Sequence, residues 1–144
     1  MKVGKGEVAL IACDSSFHTL ASLMACAMVG VVAAPISVSV NDLLDEAMPA
    51  ELLRALLTLA PSLLLTTDSV VSAGVRTLKP SGKVKYKRRI KTFKTRLVAN
   101  VEEKHKLRVD EILSRMRVEE VSFDIYNTHH TTFGLFGARV GLAP

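Results

Sequence analysis

The sequence predicts an α/β protein. A partial parallel sheet of βαβ units spans residues 1–76, and a basic, less regular α+β segment follows over 77–144. Three observations carry this reading. Between Val8 and Thr67, three short apolar runs alternate with two longer helical stretches. The runs are continuous rather than alternating, as in strands covered on both faces. The net charge of +5 is unevenly spread, since residues 76–108 carry 13 basic and 2 acidic side chains.

Taken in order, Val8–Cys13 is the first strand, with Gly4 and Gly6 before it and Asp14-Ser15-Ser16 after it. One of those three polar residues caps a helix by accepting backbone N–H groups left over at its first turn. The helix runs from Phe17 to Val29, and Gly30 ends it. Val31–Ile36 is the second strand. Asn41-Asp42 opens a loop or short helix through Glu46. Pro49 suits a first helical position, where its missing N–H costs nothing. Leu52, Leu53, Leu56, Leu57 and Leu59 then form an apolar stripe, and Pro61 stops the helix. Leu63–Thr67 is the third strand. Right-handed βαβ crossovers join such strands into a parallel sheet.

The second segment reads differently. Pro80-Ser81-Gly82 is a turn, and Lys83-Val84-Lys85-Tyr86-Lys87 alternates like an exposed edge strand. Arg88 to Arg96 is strongly basic. Glu102–Arg117 has helical periodicity through Leu107, Val109, Ile112, Leu113 and Met116. Val118–Tyr126 is a further strand with Val121, Phe123 and Ile125 on one face, and a Thr-, His- and Gly-rich tail follows Asn127.

Composition excludes several classes. With 49% apolar and 23% charged residues in 144, the chain is not intrinsically disordered as a whole. With 5% aromatic residues and no Trp, the core is aliphatic. Cys13 and Cys26 are too few for a disulfide scaffold or a zinc cage, and apolar surroundings make them buried small residues rather than nucleophiles. His129-His130 is a pair of solvated loop histidines, because adjacent side chains diverge and a metal needs three or four converging ligands. The sequence contains no nucleophile elbow, Walker loop or dinucleotide-binding glycine fingerprint.

Met1–Glu7 loosely mimics a signal peptide, but Glu7 and Asp14 interrupt the apolar run that follows. Leu20–Val40 is 21 residues without charge, long enough to span a bilayer. Gly30, Pro35 and the alternation from Pro35 to Val40 favour a buried helix followed by a buried strand. The expected location is the cytosol or an organelle lumen. The run from Lys79 to Arg96 offers Lys85, Lys87, Arg88, Arg89 and Lys91 to nucleic acid or phosphate. Tyr86 and Phe93 are sparse for base stacking, and an edge strand protected by lysines accounts for the same pattern.

Several ordered segments together resemble the adenylate-forming acyl-CoA synthetases, the AMP-binding enzyme superfamily. Gly4-Lys5-Gly6-Glu7-Val8-Ala9-Leu10-Ile11 resembles that family's Gly-Asp-Arg-Val-Ala strand. Ser22–Val32 resembles its Leu-Ala-Cys helix and Gly-Ala-Val turn, and Ala34-Pro35-Ile36 its next strand. Glu51-Leu52-Leu53-Arg54 is similar to its Glu-Leu helix, and Ala60–Asp68 to its Ala-Pro-Lys-Leu-Leu-Ile-Thr strand. The Ala25-Cys26-Ala27 helix with Val70–Val75 looks most like the acetyl- and propionyl-CoA synthetase branch. The resemblance covers residues 4–76, about half of the chain.

The resemblance implies ATP-dependent activation of a carboxylic acid to an acyl-adenylate, then transfer to CoA, with ATP, magnesium and CoA as the family's cofactors. The sequence departs from it at the phosphate-gripping loop, which in the family reads Thr-Ser-Gly-Thr-Thr-Gly-x-Pro-Lys-Gly. The nearest text is Tyr126–Gly134, where His129-His130 replaces Ser-Gly, Phe133 is inserted and no Pro-Lys-Gly follows. Thr131, Thr132 and Gly134 are the weak remnant candidates. The family's ribose-binding Asp and catalytic Lys have no counterpart, so no catalytic residue carries over. The expectation is a truncated acyl-CoA synthetase-like piece that needs no cofactor in isolation. A complementary polypeptide would supply the missing sheet, with nucleic acid and membrane as weaker alternatives. The charge jump near residue 76, where the resemblance fades, reads as a boundary more than as a binding site.

Overall fold

In the computed structural model, residues 4–44, 48–75, 86–99 and 101–121 are described. Four parallel strands lie in the order β2-β1-β3-β4: β1 (Val8–Ala12), β2 (Val32–Pro35), β3 (Leu63–Thr66) and β4 (Arg117–Glu120). The helices are α1 (Ser16–Val29), α2 (Val40–Leu44), α3 (Ala50–Leu59), α4 (Asp68–Val75), α5 (Tyr86–Ala99) and α6 (Glu103–Arg115). The expected α/β class with a parallel sheet is what the chain adopts.

The strand period of two divides the core. Ala9, Ile11, Leu63 and Leu65 point to one face, where Ala25 and Cys26 of α1 cover them. Leu10, Ala12, Leu64 and Val118 point to the other, against Leu52 and Leu56 of α3, Val71 of α4, Phe93 and Leu97 of α5, and Val109, Ile112 and Leu113 of α6. The central strands are therefore apolar at every position but Thr66, because neither face meets water. Residues on both sides of position 76 share this second core.

Local signals set the ends of α1. The Ser15 hydroxyl accepts from the His18 N–H at 3.2 Å, closing the first turn. Gly30 adopts φ 75°, and the N–H groups of Gly30 and Val31 both reach the Cys26 carbonyl, a Schellman ending that glycine accommodates without strain. Pro49 is the cap of α3, one residue earlier than expected, and Ala60 ends that helix at φ 43°.

Several expectations need correction. Tyr86 opens α5, so the alternation around it does not make an edge strand there; Lys83–Lys85 lie outside the described residues. Ile90, Phe93 and Leu97 recur at helical spacing, and burial of Phe93 and Leu97 settles the conformation. Gly74 makes room for this: a Cβ there would stand 2.4 Å from the Phe93 ring. Leu107, expected in the apolar stripe of α6, is 87% exposed. At 100° per residue it points away from Val109, Ile112 and Leu113. The strand expected over Val118–Tyr126 is β4, Arg117–Glu120, followed by buried Val121; Phe123 and Ile125 lie outside the described residues.

The uncharged stretch Leu20–Val40 comprises the last part of α1, the Gly30 turn, β2 and the first residue of α2. Among the described residues no helix is long and apolar enough to cross a membrane. Nor is this stretch a fully buried helix and strand. Leu20, Met24 and Met28 of α1 are exposed, and β2 is a sheet edge with Val32 and Pro35 in solvent.

Candidate functional site

In an open parallel sheet, ligand crevices form beyond the carboxyl ends of strands where the chain's progression reverses. Here that point lies between β1 and β3: from β1 the chain turns outward to β2, then crosses back to β3. Cys13-Asp14-Ser15 leaves β1 there, and Thr67-Asp68-Ser69 leaves β3 beside it.

These two turns are tied together by hydroxyl groups. Thr67 Oγ1 donates to Asp14 Oδ1 at 2.9 Å, and Ser69 Oγ donates to Asp14 Oδ2. Thr67 and Ser69 hydroxyls lie 3.2 Å apart. Thr66 Oγ1, fully buried, donates to the Ala12 carbonyl at 2.7 Å. The Ser69 hydroxyl holds the Asp14 carboxyl below its ordinary pKa, with Thr67 adding to the effect against a smaller desolvation cost. On the other side of Asp14, the Ser15 hydroxyl is 2.6 Å from Nδ1 of His18. This end of the sheet thus presents an ionised carboxylate whose two oxygens already accept hydrogen bonds, beside the positive end of α1. Among the described residues no group of three or more His, Cys, Asp or Glu could hold a metal ion.

Arg89 of α5 reaches the same end of the sheet. Arg89 donates to Asp68 Oδ1 at 2.6 Å, to the Asp68 carbonyl at 3.2 Å and to Ser72 Oγ at 2.7 Å, and it also pairs with Glu120 at the end of β4. Its side chain is only 19% exposed. Arg96 donates to the carbonyls of Ala73 and Leu43 at 2.9 and 2.8 Å, within the last turns of α4 and α2. Lys94 donates to the carbonyl of Met116 just past α6, and burial pushes its ammonium pKa down. Helix C-termini leave carbonyls without partners inside the helix, and cations are favourable beside them.

Of the nucleic-acid candidates, Arg89 has its guanidinium bonded to Asp68, Ser72 and Glu120 of its own chain. Lys91 is exposed. Lys87 and Arg88 lie on α5 with side chains outside the described residues, and Lys85 lies outside them entirely. The phosphate-loop candidates Thr131, Thr132 and Gly134, and His129-His130, also lie outside them. Cys13 and Cys26 are buried and unbridged, and burial pushes both thiols up to about 11, far from a nucleophile at neutral pH.

The hydroxyl cluster around Asp14 was not anticipated as a site. The signal was present in the matching positions of Asp14-Ser15-Ser16 after β1 and Thr66-Thr67-Asp68-Ser69 after β3. Searches of protein-family models, curated proteins and solved structures returned no match to this chain.

Proposed function

We propose that this chain is an α/β unit of the acyl-CoA synthetase type that does not activate a carboxylic acid with ATP by itself. The observation that supports it is positional. The segments that resemble the family's first three core strands fall on β1, β2 and β3, and those that resemble its helices fall on α1 and α3. The sheet is parallel, and among the described residues β4 is its edge opposite β2, where a complementary polypeptide carrying more of the fold would extend the structure. The phosphate-gripping sequence is altered at His129-His130 and Phe133, so the step that needs glycine geometry and a phosphate-binding Lys falls to such a partner. ATP, magnesium and CoA are then ligands of the assembled enzyme.

ATP–pyrophosphate exchange with short-chain carboxylic acids tests this. The chain alone is expected to give no exchange. Exchange is expected when it is co-purified with a polypeptide bearing an intact Thr-Ser-Gly-Thr-Thr-Gly-x-Pro-Lys-Gly loop. Turnover by the chain alone, or an inert complex, would contradict the proposal. The nucleic-acid reading draws no support from Arg89, Lys94 and Arg96, whose hydrogen bonds go to the protein itself.

A further inference from the structure

We draw no further inference here: the strongest candidate, the side-chain cluster at the start of α1 where the Ser15 hydroxyl lies 2.6 Å from Nδ1 of His18 and next to Asp14, rests on a helix N-terminus whose hydrogen bonds are internal to the cluster, and nothing there points to a ligand, since the buried hydroxyl that lacks a hydrogen-bond partner among the described residues, Ser62 Oγ, lies before β3 at the opposite end of the sheet.

Discussion

Helices α1 and α5 are each 14 residues long and have opposite compositions. The uncharged helix, α1, shows a stripe of large apolar side chains to solvent. The strongly basic helix, α5, sends Phe93 and Leu97 into the largest core and turns Arg89, Lys94 and Arg96 onto carboxylates and carbonyls of its own chain. Apolar composition therefore does not by itself mean burial, and positive charge does not by itself mean a polyanionic ligand. Three helix ends and a strand end converge beside α5. Each brings carbonyl or carboxylate oxygens, and long cationic side chains with apolar stems satisfy them while covering apolar surface.

The strongest way to break this comparison is at the inward side of α5. Phe93 is 1% exposed, and Phe93→Ala should cost about 3–5 kcal/mol in urea unfolding. Gly74→Ala forces a methyl group into the space of the Phe93 ring and should cost about 1–3 kcal/mol by the same measurement. Arg89→Met removes one partner of the largely buried Glu120 side chain and should cost about 2 kcal/mol.

The smallest effect is a matter of pH. Asp14 has a folded pKa below its ordinary value, so the unfolded chain binds more protons in the acid range. Its contribution is complete above the ordinary carboxylate pKa and is lost as pH falls through the lowered folded value. Ser69→Ala should move the Asp14 titration upward, as read by carboxyl NMR. An unmoved titration would show that the hydroxyl is not the cause.

Much of the first half was legible in the sequence because its signals are local. The apolar runs of β1 and β3, the cap at Ser15, Gly30 and the stop before Pro61 each act within a few residues. What was missed depends on contacts distant in sequence. Helix α4 follows β3 directly with β-branched Val70 and Val71, so no change of period separates it from the strand. The stripe of α5 is hidden among cations whose partners lie at positions 43, 68, 73, 116 and 120. The position of β2 at an edge was likewise unreadable, since strand order is set by crossovers and not by composition. Leu107 is a different case: its angle on the helix was available from the sequence and excluded it from the buried stripe. The hydroxyl cluster at Asp14 was legible as two polar turns, but their adjacency needed the pairing of β1 with β3.

The most direct test sets two cations of α5 side by side in equilibrium urea unfolding. Arg96→Met strips the donor from two helix-end carbonyls and should lower the unfolding free energy by about 1–3 kcal/mol. Lys91→Met, at an exposed position, should stay within about 0.5 kcal/mol of the parent. Equal losses in the two variants, or an Arg96→Met chain as stable as the parent, would contradict the claim that the charges of this helix serve the fold.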